Sequence, residues 1–429
     1  MRRLEQLRQD GLIDYRAGRE VWLITAERSG YRIELRPTAS LAAVERESVL
    51  AERLVLCPGG QDRQLPVPGW DLPGVMAAGG MQALLKGQHT LAGRRVVVAG
   101  TGPFLLPVAT GLARAGAEVV AVCEANAPSD WLRSAGAVAG VPSKIIEGAG
   151  YAAKLIRHRI PYRSRTIVGA IRGKDRVESV RLDRIDRTGR VTGTGIAELA
   201  VDAVGLGWGF TPALELIMMV GAGTELGPDG SLITIVDDGQ RSTVPSVYVA
   251  GEACGVGGAA LAVAEGGLAA RTLLRDRDGK ARTGTTRAGG SDADAGSAAA
   301  PARLLRRIRR QRAFAAAMHR AHPVPADWPD WCTADTLLCR CEEVPVGAAE
   351  LAAKDLGAAS ARDQKLLTRC GMGWCQGRIC GSAVAGLAAR LAGRDMIADD
   401  LRAMTKRTFA IPVPLSELAR LSDPIEEEG

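Results

Sequence analysis

Residues 96–126 read VVVAGTGPFLLPVATGLARAGAEVVAVCEAN, and this stretch indicates the fold. Its apolar start predicts a buried strand of the parallel type, the segment from Pro107 to Ala115 has helical spacing, and AEVVAVC at Ala117–Cys123 predicts a second buried strand. Strand, helix and strand in this order form a βαβ unit. The sequence therefore predicts a Rossmann-like α/β domain.

The loop after the first predicted strand has the composition of a dinucleotide site. Gly100 permits a tight turn, Gly102 lets the backbone approach a pyrophosphate, and the helix that follows offers its positive N-terminus. Glu124 ends the second strand, where a carboxylate binds ribose hydroxyls and favours NAD over NADP. Leu105 stands at the third glycine position, so a Rossmann-like core that binds no nucleotide is the alternative.

A second glycine-rich segment, TVPSVYVAGEACGVGGAALAVAEGG, lies at residues 243–267. A predicted strand, Val247–Ala250, delivers Gly251 and Glu252 to a turn, and a helix is predicted from Gly258 onward. A strand that ends in a turn without any ligand is the plainer interpretation of the same pattern.

Composition places the chain among globular proteins of two or three domains. It has 429 residues, of which 46% are hydrophobic and 24% charged, and a net charge of +7. The densest basic segment, Arg303–Arg320, predicts a basic helix face, and no aromatic residues interleave it as in single-strand nucleic-acid binders. No apolar region follows the basic start, and Glu265 interrupts the most apolar stretch, so we predict a cytoplasmic protein without a membrane span.

The cysteines are concentrated near the C-terminal end. Six of the nine fall between Cys332 and Cys380, whereas the other three are scattered in apolar or glycine-rich segments. Within the crowded region LLCRCEEV and RCGMGWCQGRIC give a C-x-C pair, 33 intervening residues and a C-x4-C pair. Two short helices are predicted between the pairs, at Pro345–Leu356 and Arg362–Leu367. Four thiolates satisfy an iron-sulfur cluster or a structural zinc ion, and buried cysteines without a metal are the third interpretation.

This module resembles the bacterioferritin-associated-ferredoxin type of 2Fe-2S domain, in the version that ends in GMGxCQGRxC and occurs in flavoprotein subunits. The resemblance places the cluster ligands at Cys339, Cys341, Cys375 and Cys380. Cys332 and Cys370 are then left as spares.

A wider resemblance runs from residue 54 to the end of the chain, with its sharpest markers in PGWDLPGVMAAGGMQALLKG and GMGWCQGRIC. The chain is similar to the larger subunit of hetero-oligomeric amine dehydrogenases, a family that includes opine oxidase, hydroxyproline dehydrogenase and hydrogen cyanide synthase. This implies an α/β flavoprotein fold with two dinucleotide-binding domains, in which a Rossmann-like domain is inserted into the FAD domain, followed by a small α-helical 2Fe-2S domain.

The same resemblance implies cofactors and a partner. Gly59 would lie near the flavin nucleotide, and Gly251 and Glu252 would contact the flavin ribitol. A second flavoprotein subunit would carry the amine-oxidising site, which makes the protein a hetero-oligomer. Family members begin with a strand and a G-x-G-x-x-G loop for the FAD pyrophosphate; residues 1–15 contain neither, so we expect an incomplete FAD domain or a true start that lies upstream.

The expected division of the chain follows from these observations. The segments are a first FAD-type part (1–92), a Rossmann-like NAD(P)-type domain (93–205), a second FAD-type part (206–278), a flexible linker (279–302), a connecting basic helix (303–334), the 2Fe-2S domain (335–400) and a tail (401–429).

The predicted function is an oxidoreductase subunit that passes electrons from a secondary amine or imino acid through flavin and cluster to an acceptor. The alternatives are a non-catalytic relay or assembly subunit without tightly bound FAD, and an NAD(P)H-dependent flavin reductase that feeds the cluster. No acid or base stands out in the sequence as catalytic. His89 is the histidine nearest to the flavin-type segments.

Overall fold

The computed structural model describes residues 2–38, 46–134, 136, 139–282 and 294–422. Its strands are β1 Arg19–Glu27, β2 Gly30–Pro37, β3 Glu47–Ala51, β4 Leu54–Leu56, β5 Gly60–Asp62, β6 Val75–Ala77, β7 Arg95–Gly100, β8 Glu118–Glu124, β9 Tyr162–Ser164, β10 Thr166–Arg172, β11 Ser179–Ile185, β12 Val191–Ala200, β13 Ala203–Gly207, β14 Phe210–Pro212, β15 Thr224–Leu226, β16 Leu232–Thr234, β17 Val247–Val249, β18 Leu337–Cys339 and β19 Val344–Pro345.

The helices alternate with strands in the first half of the chain and dominate the second. They are α1 Arg2–Gln9, α2 Ala78–Gln88, α3 Leu105–Arg114, α4 Pro142–Arg157, α5 Glu215–Met219, α6 Ala259–Arg282, α7 Asp294–Ala321, α8 Val346–Leu356, α9 Ala361–Thr368, α10 Gly381–Leu391, α11 Ala398–Thr405 and α12 Leu415–Ala419.

A five-stranded parallel sheet, in the order β6-β13-β7-β8-β9, lies at the centre of the first half. The valines of β7 are fully buried because helices cover one face of this sheet and the rest of the core covers the other. The predicted βαβ unit is thus present as β7, α3 and β8. Its neighbour on the β7 side is β13, and β13 in turn pairs with β6, which comes from the segment 1–92.

The chain passes between two sheets at residues 201–202. β12 pairs antiparallel with β11, and β13, three residues later, pairs parallel with β7. The carboxylate of Asp202 fixes this change of direction because it accepts hydrogen bonds from the backbone N–H groups of Arg94 (3.0 Å) and Arg95 (2.9 Å).

The FAD-type segments contribute smaller sheets. β17 pairs parallel with β4, β14 pairs antiparallel with β5, and β1, β2 and β3 form an antiparallel sheet. Residues 206–278 thereby return to the elements of residues 54–62, and the insertion of one domain into the other stays a prediction.

The predicted linker 279–302 is helical at both ends, where α6 runs to Arg282 and α7 begins at Asp294. Alanine-rich sequence such as that of residues 298–300 is a strong helix former. Residues 283–293 lie outside the described residues, and the flexible linker stays a prediction for them.

The C-terminal module is a short hairpin, β18 and β19, followed by four helices, α8 to α11. Trp70 ties it to the rest of the molecule by donating to the carbonyl of Leu337 (2.6 Å), and Trp331, just before the module, donates to that of Gly189 (2.7 Å). The two helices predicted between the cysteine pairs correspond to α8 and α9.

Among the helices of the described residues, none has the length and apolar character that a membrane crossing requires.

Leu206→Ala tests whether β13 lies inside the parallel sheet, between β6 and β7. Leu206 is fully buried in the middle of the parallel sheet, so its truncation should reduce the free energy of unfolding by about 2–5 kcal/mol in a urea titration. Leu50→Ala on β3, where the side chain is 62% exposed, is the control and should change it by less than about 0.5 kcal/mol. Equal effects of the two variants would contradict the fold.

Candidate functional site

The loop between β7 and α3 leaves no room for a side chain at Gly100. A Cβ atom there would lie 1.8 Å from the carbonyl oxygen of Gly207, and the φ angle of 143° is one that residues with side chains rarely adopt. Gly102 also has a positive φ angle, 99°, but the space beside it is open. The backbone of this loop is therefore accessible to a ligand.

Glu124 ties this loop to the next one. It lies at the end of β8, is 2% exposed, and accepts hydrogen bonds from the backbone N–H groups of Gly102 (2.9 Å) and Asn126 (3.0 Å). The Asn126 side chain donates to the hydroxyl of Thr101 (2.6 Å). The carboxylate has the position predicted for it, and its role on a ribose stays a prediction.

A cavity of about 1380 Å³ opens beside this loop. It exceeds the roughly 300–1,000 Å³ typical of small-molecule pockets, so a dinucleotide fits its volume. Its walls join the Rossmann-like part to the FAD-type part, with Gly102 and Glu124 on one side and Gly60, Glu252 and Gly258 on the other.

The last turns of α7 and the residues that follow it form an aromatic part of the cavity wall. Trp131 stacks on Phe314 with ring centres 5.7 Å apart and donates its indole N–H to Nε2 of His322 (3.0 Å). Nδ1 of His322 lies 3.5 Å from a carboxylate oxygen of Glu124. Sequence reasoning did not assign these residues to a site, because only folding brings Trp131 beside a histidine 191 positions away.

The second predicted turn is also held by carboxylates. Glu252 accepts a hydrogen bond from the N–H of Gly258 (2.9 Å), and Gly251 donates its N–H to Glu265 (3.0 Å). Glu252 and Gly258 line the cavity, whereas Gly251 is buried. Gly59 lies next to the wall residue Gly60. The roles of Gly59, Gly251 and Glu252 toward a flavin stay predictions.

Glu265 is fully buried, and burial raises the pKa of its carboxyl. Arg312 of α7 forms an ion pair with it at 2.5 Å. The basic helix predicted at 303–334 thus turns one arginine inward, while other arginines of α7, such as Arg306 and Arg309, are exposed.

The structure brings the four predicted cysteine ligands together. The Cys380 thiol donates to Cys339, and this contact, with the N–H groups of Gly371, Glu342 and Cys341, lowers the pKa of Cys339 to about 6. The side chains of Cys341 and Cys375 form a second hydrogen-bonded pair. Electrostatic interactions also join members of different pairs, Cys380 with Cys375 and Cys341 with Cys339.

Glycines make this approach possible. A Cβ atom on Gly373 would lie 2.4 Å from Cβ of Cys341, and one on Gly371 would lie 2.5 Å from the Met404 methyl group. Of the two spare cysteines, Cys332 donates to the carbonyl of Pro66, away from the pairs. Cys370 is buried, and burial raises the pKa of its thiol to about 12.

In the part of the chain that the structure describes, no three side chains among His, Cys, Asp and Glu are grouped to hold a single metal ion. The cysteines instead stand as two pairs.

Residues 4–266 match the family model described as pyridine nucleotide-disulphide oxidoreductase. The chain belongs to this family. It is accordingly an oxidoreductase of the α/β dinucleotide-binding type, and the predicted fold class is confirmed to that extent.

Relatives within this oxidoreductase family extend over nearly the whole chain. An opine oxidase subunit of Rhizobium meliloti is 32% identical over 440 residues, covering 96% of this chain and 87% of the relative. The opine oxidase subunit of the same type from Agrobacterium tumefaciens is 31% identical, covering 95% and 77%. Hydrogen cyanide synthase subunit HcnB of Pseudomonas aeruginosa is 29% identical, covering 98% and 86%. These matches confirm the resemblance found in the sequence.

The oxidoreductase fold also superposes on a solved structure, that of L-proline dehydrogenase from P. horikoshii. The TM-score is 0.63 at 17% identity, and the match covers 97% of this chain and 69% of the other. At this identity the similarity concerns the fold.

Gly100→Ala tests the nucleotide loop of this oxidoreductase. The added Cβ would overlap the Gly207 carbonyl, so the loop must move and the affinity for ADP should fall by tenfold or more, about 1.4 kcal/mol, in calorimetric titration. Gly87→Ala in α2 is the control, since nothing lies within 4 Å of the position and a helical site favours alanine. ADP affinity that is unchanged in Gly100→Ala would exclude the loop as the binding site.

Proposed function

We propose that this chain is an electron-transferring oxidoreductase subunit of an enzyme that oxidises a secondary amine or imino acid. A flavin in the large cavity and a 2Fe-2S cluster between the two cysteine pairs would carry the electrons toward an acceptor. A partner flavoprotein subunit would hold the amine-oxidising site. The relatives from opine oxidase and hydrogen cyanide synthase are subunits of those enzymes, which supports this assignment.

One contact carries the proposal. β5 has Gly60 in the wall of the cavity, and the next residue, Gln61, donates its side-chain N–H to the carbonyl of Arg378 at 3.1 Å. Arg378 lies between Cys375 and Cys380. A strand of three residues therefore separates the space available to a flavin from the loop that would hold the cluster, which is the proximity that electron transfer requires.

The arrangement of the cysteines favours two irons over one zinc ion. A structural zinc ion needs four ligands converging tetrahedrally on one centre, whereas in a 2Fe-2S cluster each iron takes its own pair of thiolates. The described cysteines form two hydrogen-bonded pairs of this kind.

The two pairs also differ in exposure. Cys339 and Cys380 are buried, Cys375 is half-buried, and Cys341 is exposed; Trp374, the residue before Cys375, is 72% exposed. A cluster held there would have one side toward the protein interior and one side toward an external acceptor. This supports a relay role, because electrons can enter from one side and leave from the other.

The N–H groups around the cysteines fit a cluster as well. Three backbone amides, those of Gly371, Glu342 and Cys341, face the sulfur of Cys339. Hydrogen bonds to ligand sulfurs stabilise the charge of an iron-sulfur cluster and are a principal means by which proteins set its potential. A buried cysteine without a metal would not require them.

Metal and sulfide analysis tests the cluster. Anaerobically purified full-length chain should contain about two irons and two labile sulfides per molecule, and Cys339→Ser should lose most of both. Cys332→Ser, at a half-buried cysteine outside the pairs, is the matched control and should keep both. Zinc in place of iron, or equal iron in the two variants, would refute the cluster assignment.

A second candidate is an NAD(P)H-dependent reductase that feeds the cluster. The observation in its favour is the continuity of the cavity, which reaches from Gly102 on the Rossmann-like loop to Glu252 on the FAD-type turn. A nicotinamide held by the first could therefore contact a flavin held by the second.

Anaerobic mixing separates the two candidates. If the chain serves amine oxidation, NADH should leave the flavin absorption of the purified protein unchanged over minutes. Full bleaching by stoichiometric NADH, with NADPH less effective because Glu124 repels a 2′-phosphate, would instead select the reductase.

A further inference from the structure

A buried carboxylate beside the cysteine loop is shared by two arginines. Glu215, the first residue of α5, is 8% exposed, and one of its oxygens lies 2.5 Å from Nη1 of Arg407 and 3.0 Å from Nε of Arg378. A single carboxylate thus faces two guanidinium groups. The group of three carries surplus positive charge inside the protein.

Arg378 belongs to the loop between Cys375 and Cys380, and Arg407 contacts the same loop. Arg407 donates to the carbonyl of Gln376, and Arg378 donates to the carbonyl of Cys375 (3.4 Å). Arg407 interacts electrostatically with Cys375 itself. Its positive charge is therefore held at the wall of the proposed cluster site.

The position of Arg407 is costly for the fold. Its side chain is 8% exposed, and its Nε finds no hydrogen-bond partner within the described ranges. Burial lowers the pKa of Arg407, although an arginine pKa starts so far above neutrality that the group keeps its charge. A buried charge without a partner of opposite charge is strongly destabilising, so we expect a compensating negative charge near Arg407.

Glu215 supplies only part of that compensation, because it is already paired with Arg378. A third cation, Lys365, interacts electrostatically with both Cys380 and Arg407. Glu342, the acidic residue that directly follows Cys341, forms an ion pair with Arg369 (2.8 Å) rather than with Arg407. The described charges around the second cysteine loop are thus mainly positive.

We infer that Arg407, held by Glu215, raises the reduction potential of the 2Fe-2S cluster. This rests on the proposed function. Four thiolates and two sulfides outweigh the charge of two ferric ions, so the cluster is an anion, and reduction adds one electron to one iron with no bond formed or broken. A fixed positive charge stabilises the more negative, reduced state, and burial protects this effect from screening by salt.

Two substitutions with opposite expected signs test the inference. Arg407→Gln removes a cation and should lower the potential, whereas Glu215→Gln removes the anion that partly neutralises the arginines and should raise it. For each we expect at least a tenfold change in the ratio of reduced to oxidised cluster at fixed potential, about 59 mV for a one-electron couple. The measurement is a redox titration of the purified full chain followed by the electron paramagnetic resonance signal of the reduced cluster.

Matched variants separate charge from structure. Arg407→Lys keeps the charge and should keep most of the potential. Arg390→Gln has the same charge change at the far end of α10, roughly 15 Å along the helix from Cys380 and exposed to solvent, and should leave the potential unchanged.

The outcomes distinguish this inference from the proposed function. Wild-type protein without iron and sulfide overturns both. An intact cluster whose potential stays constant in Glu215→Gln, or shifts in the same direction in Glu215→Gln and Arg407→Gln, overturns the role of Arg407 alone. Should Arg407→Gln fail to fold, a reduction potential that does not rise in Glu215→Gln decides against the role of Arg407.

Discussion

The close contact between the ends of β7 and β13 is the constraint on which the rest of the site depends. Gly100 lies so near the Gly207 carbonyl that no side chain fits between them, and this brings the nucleotide loop directly beside the strand that leaves the sheet. That strand continues into Trp208, buried against Trp331, and then into β14, which pairs with β5. Because β5 contacts the cysteine loop, one backbone approach places both the cavity and the loop.

Carboxylates prepare the turns around the cavity. Glu124, Glu252 and Glu265 each accept an N–H from a glycine-rich turn. The N–H of Gly258, directly before α6, is one of the donors that a helix start leaves unpaired. The turns are therefore fixed before any ligand arrives. A phosphate that approached Gly102 would have to share the Gly102 N–H with Glu124. A bound nucleotide would therefore meet an ordered loop with a carboxylate close by. This carboxylate favours a ribose hydroxyl at that position over a further negative charge.

Local patterns account for what the sequence could predict. The apolar periodicity of residues 96–126 is enough to predict the βαβ order, and the cysteine loops can be recognised from the cysteine spacing and the neighbouring glycines. Contacts between distant segments produce no local sequence pattern. The Trp131–His322 pair and the Glu215–Arg407 pair join residues about two hundred positions apart, and the change of sheet at residues 201–202 is likewise set by contacts with distant strands.

The basic helix α7 shows what composition alone could not assign. Its arginines predicted a basic face, and arginines such as Arg306 and Arg309 are exposed, but composition does not say that one arginine is needed inside. Glu265 is fully buried on α6 and requires a cation, because an unpaired buried carboxylate is strongly destabilising. Arg312 provides it, and His319, seven residues further along and therefore on the same side of α7, lines the cavity. The ion pair thus helps to select which face of α7 turns inward.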